Sequence, residues 1–440
     1  MRVSKGQRRG AWRQAVRACL LLLLACPDAP LRAQSVDLLE PTLPDDYNQS
    51  RNLSVIERPR PDYDPLGLRI GSFLAFPALA LTVAGTDNAY LTAASRKSDL
   101  FGRVTPSLDL RSDWGRHMID LSAQGTFARY ANQPLLDRDT WDVRSIGRLD
   151  VGDFGTLVVE GRASKLQEDP FTSQSDASLA ILSSYRRDDA TVRAQREVGR
   201  TRFVASVEAT RLRFSDVRFT DGETLSQAQR NRSLVTGTAQ AEYALSPGAV
   251  LLARVAYTGT DYNRALADGG PNRDAGTLQV LGGLNVDLPD FIRGTAQIGY
   301  TRKDYRASSY GSVGGVSGEV KLQYFLSDIM NFDVDARRSL EDAATSDNNP
   351  YFETMVSVGA DRSLRENIIA SIKAGVGNQA YVGSPIKYDI VQISGTLKYL
   401  VSRLVSLRLD AGYGKRTQGG TRPRSRIDQS TIMMTLELHR

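Results

Sequence analysis

SLVTGTAQAEYALSPGAVLLARVAY, residues Ser233 to Tyr257, is the stretch that decides the fold. Val235, Gly237, Ala239, Ala241 and Tyr243 alternate with Thr236, Thr238, Gln240 and Glu242. After the Leu245-Ser246-Pro247-Gly248 turn, Ala253, Val255 and Tyr257 face one way and Arg254, Ala256 and Thr258 the other. Alternation with period two puts the two sets on opposite faces of a strand. A short Pro-Gly turn makes the pair a hairpin. One face is small, aliphatic or aromatic; the other carries hydroxyls, amides and charges. In a soluble sandwich the polar face would look outward, and in a membrane barrel it would line a water-filled lumen.

The same pattern extends through the body of the chain. Thr105, Ser107, Asp109 and Arg111 oppose Val104, Pro106, Leu108 and Leu110, and Asp120, Ser122, Gln124 and Thr126 oppose Ile119, Leu121, Ala123 and Phe127. Glu319, Lys321 and Gln323 oppose Val320, Leu322 and Tyr324; Ser406, Arg408 and Asp410 oppose Leu407, Leu409 and Ala411. Short turns are expected near Asp113-Trp114-Gly115, Gly152–Gly155, Val198-Gly199, Pro247-Gly248, Pro289-Asp290, Ser327-Asp328, Leu364-Arg365 and Ser402-Arg403. They recur every ~37 to 48 residues, one hairpin plus a connection. Between them lie longer polar loops: Leu166–Ser184, Asp216–Arg230, Asp261–Ala275, Asp342–Pro350 and Lys415–Arg426. Short turns at one end and long loops at the other is the outer-membrane arrangement. It predicts an all-β, transmembrane, antiparallel up-and-down β-barrel over residues 67–440, with about 18 strands, in the range of roughly 16 to 18.

The beginning of the chain agrees with export. Residues 1–33 combine a basic start, a short apolar core from Cys19 to Cys26, and small residues up to Ala33, which reads as a secretory signal. The core is shorter than the roughly 20 residues of a spanning helix. Leu23-Leu24-Ala25-Cys26 also resembles a lipoprotein box, which would acylate Cys26. Of 56 basic and 50 acidic residues, the signal holds seven and one, leaving 49 of each. A neutral mature chain gives no reason to expect nucleic acid, despite the pI of 9.2. Both cysteines lie within the signal, so no disulfide scaffold is expected. Residues 34–66 are polar, with Pro41, Pro44, Pro59, Pro61 and Pro65, and show no sustained period. They read as a disordered or loosely docked periplasmic arm, with a plug or a partner strap as the functional alternative.

Many positions on the apolar face are Gly or Ala, which suits a surface covered by lipid better than a soluble core. Tyr130, Tyr243, Tyr257, Tyr300, Tyr324 and Tyr413 fall towards strand ends, as an interfacial aromatic girdle requires. Ile432, Met434, Leu436 and Leu438 predict a closing strand, although the chain finishes Leu438-His439-Arg440 where such strands commonly finish on an aromatic residue.

Arg58-Pro59-Arg60-Pro61-Asp62-Tyr63-Asp64-Pro65-Leu66-Gly67 leads to Ile70-Gly71-Ser72-Phe73 and Pro77. Thr86-Asp87-Asn88-Ala89-Tyr90, Ser98-Asp99, Pro106 and Ser112-Asp113-Trp114-Gly115-Arg116-His117 follow. In that order they resemble the putative beta-barrel porin type 2 proteins of Gram-negative outer membranes. The resemblance is specific in the first third and one of pattern beyond it. It implies a barrel associated with exopolysaccharide or capsule secretion, with periplasmic polysaccharide-export proteins as partners. Outer-membrane lipid, lipopolysaccharide and the barrel-assembly machinery are the other expected partners.

No catalytic constellation is visible. The two histidines, His117 and His439, are far apart in sequence, and His117 reads as structural. Gly311-Ser312-Val313-Gly314-Gly315 lacks the lysine and the strand–loop–helix context of a phosphate loop. No cofactor or metal is expected. Function would live on the lumen face, where the candidates are Asp109, Arg111, Glu208, Glu242, Arg254, Glu319, Lys321, Lys373, Arg408 and Asp410. Their mixed signs do not point to a strongly ion-selective channel; a solvated wall of satisfied ion pairs is the plain alternative. The leading reading is a passive conduit for a secreted polysaccharide. Its rivals are a diffusion porin, which would need a loop such as Leu166–Ser184 folded into the lumen, and a non-conducting structural barrel.

Overall fold

The computed structural model describes residues 52–152, 155–168, 171, 183–218, 224–265, 269–288, 291–342, 350–420 and 425–440. The proposed signal, Cys26, Asp153-Phe154 and Pro289-Asp290 lie outside the described residues. Eighteen long strands follow one another: β1 (Phe73–Thr86), β2 (Asp99–Ser112), β3 (Met118–Tyr130), β4 (Arg138–Asp150), β5 (Thr156–Gln167), β6 (Ser184–Val198), β7 (Thr201–Phe214), β8 (Arg232–Ser246) and β9 (Ala249–Tyr262) form the first half. The second half is β10 (Ala275–Leu288), β11 (Ile292–Tyr305), β12 (Val313–Ser327), β13 (Met330–Glu341), β14 (Tyr351–Arg365), β15 (Ile368–Tyr381), β16 (Lys387–Leu400), β17 (Val405–Gly419) and β18 (Arg426–His439). Each pairs antiparallel with its neighbours in sequence. β18 returns to β1, from Ala78↔His439 to Thr86↔Thr431, so no edge is left open. Thr82 and Thr435 share a hydroxyl–hydroxyl bond of 2.9 Å across that seam. The barrel therefore closes through the β18–β1 register. A three-residue strand, Leu68–Ile70, folds back on Phe73–Ala75 as a lead-in.

Closure gives the alternation its meaning. Val83, Leu100, Val207, Ile298, Ile372 and Met434 stand exposed on the outside, while Thr82, Arg103, Glu242, Arg254 and Thr435 are buried inside. This inversion of the soluble pattern is what a lipid solvent demands. The expected short turns join β2–β3, β6–β7, β8–β9, β12–β13, β14–β15 and β16–β17 at one end; β4–β5 and β10–β11 follow each other closely there too, and both ends of the barrel domain lie there.

Three expectations need correction. Lys415–Arg426 is not all loop: β17 continues to Gly419 because Lys415, Arg416 and Thr417 keep pairing with β16 and β18. Asp216–Arg230 is not featureless, since Val217–Arg218 pairs with Thr224–Leu225 and a 3-10 turn spans Ala228–Arg230. Tyr130 is no girdle residue. It shares the inner face with Ala128 and stacks on Phe101, ring centroids 4.7 Å apart. Tyr243, Tyr257, Tyr300 and Tyr324 do stand exposed outside.

Candidate functional site

Among the described residues the inner wall is the predominantly polar face, and all ten candidate residues stand on it. Most are held in cross-strand or same-face pairs. Arg202 Nε donates to Glu242 Oε2 at 3.0 Å, and Lys321 Nζ lies 2.7 Å from Glu319. Lys373 Nζ donates to Asp335 Oδ2 at 2.6 Å. Arg408 bridges Asp410 at 3.0 Å and Glu437 at 3.2 Å. Glu208 accepts from Thr210 Oγ1 at 3.2 Å and has Arg187 3.8 Å away. Arg254 lies in the field of Glu319 and Glu208. Asp109 and Arg111 are same-face neighbours on β2, Arg111 resting 5.3 Å from the Phe76 ring centroid. The wall is thus one of mixed, largely compensated charge.

Several wall residues escape a sequence reading. Arg144 and Glu160 pair at 2.6 Å, as do Arg162 and Asp142, and Arg187 donates to Asp189 at 2.8 Å. On β6 the run Arg186-Arg187-Asp188-Asp189 gives each face one base and one acid, so polarity carries no period there.

The wall is not uniform around its circumference. At β10 and β11 a Cβ on Gly283 or Gly299 would collide with the carbonyl of the adjacent strand. Only glycine permits that approach, and it marks a sharp corner of the sheet. Inside the corner Thr277, Gln279, Thr295, Gln297, Thr301 and Ser317 are all buried against one another, for example through Gln279 Nε2 to Thr301 Oγ1 at 3.1 Å. Across β13–β18 the inner residues Asp335, Ser357, Ser371, Lys373, Gln392, Ser394 and Asp410 are half-exposed. Water reaches the lumen on that side.

The described ends of the β5–β6 connection are held at the base. Glu168 forms an ion pair with Arg230, and its backbone N–H donates to Ser183 O at 2.9 Å. Gln227 Nε2 donates to Ser183 Oγ at 2.6 Å. Arg230 in turn lies 3.9 Å from the centroid of Phe214, which stacks on Tyr185 at 5.2 Å. With its base clamped, the loop places Phe171 on the inner wall at Gly414 of β17, where a Cβ would occupy the ring's position. Phe171 is buried there.

Beyond β13, Asp342 accepts from Tyr262 Oη at 3.0 Å and pairs with Lys303. Burial alone would push its carboxyl up, but Lys303, then Arg232 and Arg273, outweigh it and hold the group well below the usual carboxylate range. A folded pKa below the unfolded one stabilises above the unfolded value, about pH 4, and the contribution fades as pH falls below it. Asp342→Asn is expected to cost about 1.5–3 kcal/mol at pH 7. Urea unfolding of both forms checks this, and the gap between them should narrow steadily below about pH 4.

At the short-turn end, the described part of the leader crosses four consecutive hairpins. Asn52 Nδ2 donates to Asp287 Oδ1 at 2.7 Å, and Val55 N donates to Asn331 Oδ1 at 2.8 Å. Glu57 pairs with Arg293 at 2.7 Å. Arg60 Nε donates to Glu366 O at 3.0 Å, and Arg403 Nη2 to Pro61 O at 2.7 Å. Asn52, Ser54, Val55 and Arg60 are buried by these contacts.

A closed barrel, a lipid-type exterior and a polar lumen meet a family profile described as Putative beta-barrel porin 2, which matches residues 60–440. The chain belongs to that family. It is a porin-like β-barrel of the outer membrane, so the short turns are periplasmic and the long loops extracellular. A search of the curated proteins found no match. Among solved structures, the outer membrane protein OpdK of Pseudomonas aeruginosa is similar over 83% of this chain and 99% of its own, with 14% identity and a TM-score of 0.42. OpdO of the same organism covers 84% and 98%, with 11% identity and a TM-score of 0.44. OccK2 (OpdF) in complex with glucuronate covers 83% and 98%, at 13% and 0.43. Identities this low carry no activity over to this porin. Among the described residues no group of three or more His, Cys, Asp or Glu could hold a metal ion.

Proposed function

We propose that the protein is a diffusion porin for small polar solutes, in preference to the polysaccharide conduit that its family resemblance implied. The seating of Phe171 on Gly414 carries this reading. In this reading Phe171, which belongs to the β5–β6 connection and is seated on β17, marks a constriction of the lumen. A constriction sieves small solutes by size and obstructs a polymer that must thread the whole length. A barrel of 18 strands is wide enough to leave an aqueous channel around such a constriction. The compensated pairs on the wall support passage of neutral and charged polar solutes alike. The protein has no catalytic role in this reading.

Single-channel conductance of refolded residues 34–440 in a planar bilayer, with liposome swelling in sugars of increasing size, tests it. Steady conductance with a sharp size limit is expected, and Phe171→Ala should raise both the conductance and the limit. Silence that turns to conductance on removing residues 34–66 would instead favour a gated export conduit. Silence in both forms would favour a structural barrel.

A further inference from the structure

On the lipid-facing side of β4–β7, at their extracellular ends, one row of residues breaks the apolar pattern. Trp141, Lys165, Arg186 and Arg213 are successive cross-strand partners on four adjacent strands. Their parity is that of the exposed Val143, Val159, Val192 and Val207, so they point outward. Arg211, one step below Arg213 on that face, stands opposite Asp188. Four cations thus stand around Asp188, and the next described carboxylate on this face, Asp139, is bonded to Arg129 and reaches only Lys165. Asp188 is bonded to Arg186 at 2.8 Å and to Arg213 at 2.9 Å, while both guanidinium side chains remain 49% exposed.

Like charges directly opposite each other on a sheet are destabilising, and elsewhere on this collar they are matched. Arg129 pairs with Asp139 at 2.6 Å, Arg302 with Asp304 at 3.0 Å and Arg306 with Asp261 at 2.8 Å. The excess on β5–β7 calls for an external anion. Its depth is fixed by Trp141, over whose ring Arg186 lies at 5.8 Å, since outward tryptophan marks the membrane–water interface. Below the row, Gly161, Ala163, Ala190 and Ala209 form a shallow apolar trough between valines, with open space above Gly161. Cations at headgroup level above a smooth apolar trough match one occupant: a lipid with a phosphorylated head and acyl chains, in the outer leaflet.

We propose that this face of β4–β7 binds the phosphorylated headgroup of an outer-leaflet glycolipid. Lys165, Arg186, Arg211 and Arg213 hold phosphate through charge-assisted hydrogen bonds, and an acyl chain lies in the trough over Gly161 and Ala190. The site is on the outside of the barrel and is independent of what passes through the lumen.

The test uses the full mature chain in detergent, with binding of bis-phosphorylated lipid A, dephosphorylated lipid A and phosphatidylglycerol measured by native mass spectrometry. The unaltered protein should prefer the bis-phosphorylated form by about tenfold or more, the equivalent of one strong ionic contact. Lys165→Ala/Arg186→Ala/Arg213→Ala should abolish that preference, and the half-exposed Arg213→Gln alone should reduce it. Arg302→Ala/Arg306→Ala, elsewhere on the collar, should retain it. Heat-modifiable migration in gels like that of the unaltered protein shows that each variant has folded. An undiminished preference in the triple variant, or equal binding of phosphatidylglycerol, would overturn the proposal.

Discussion

Glu242→Ala is expected to destabilise the barrel by about 3–5 kcal/mol, the cost of leaving a buried charge without its partner. Glu242 and Arg202 are 3% and 5% exposed on the inner faces of β8 and β7. Gln240, one step along the same face, donates to the second Glu242 oxygen. Removing the carboxylate takes the close anionic partner from a guanidinium in a space that water does not reach. Replacing both partners with apolar residues of similar volume, Arg202→Met with Glu242→Leu, should recover most of the loss, because such swaps remove the desolvation penalty together with the attraction. Unfolding in guanidinium from lipid vesicles reads all three proteins. A Glu242→Ala cost below about 1 kcal/mol would mean that the pair behaves as a solvated surface bridge.

The second large effect separates the two faces of a single strand. Ile393 and Ser394 are adjacent at the middle of β16, Ile393 exposed outside and Ser394 half-buried inside. Ile393→Arg should cost about 2–4 kcal/mol, since a cation at the bilayer midplane has neither water nor a counter-ion. Ser394→Arg places the same side chain in an aqueous lumen, where such changes tune selectivity more than stability. Reversible folding into vesicles should therefore distinguish two variants one residue apart. Equal costs would contradict the inside–outside assignment of the wall.

The seat of Phe171 and the outer charge row rest on different parts of the sequence, and their legibility differs accordingly. The row Lys165, Arg186, Arg213 was invisible because its members are neighbours only through strand register, with 21 positions between the first pair and 27 between the second. Phe171 gave no periodic signal, being part of a polar loop, and its seat at Gly414 lies on the far side of the chain. The leader showed Pro-rich composition and nothing of its bonds; Glu57 and Arg293 are separated by 236 positions.

By itself the sequence misplaced Tyr130 and the end of β17 and left the faces of β6 undetermined. It determined most of the strands, their faces and the turns between them, since period-two alternation and turn chemistry act over a few residues. It therefore gave the 18-strand barrel and put Arg254, Glu319, Lys373, Arg408 and the other six candidates on the polar face. Only the tertiary structure decided which of those charges pair, where Gly283 and Gly299 bend the wall, and that Phe171 sits on Gly414. Those outcomes depend on how β18 closes on β1 and on the curvature that closure imposes. Such curvature brings together residues that no local pattern relates.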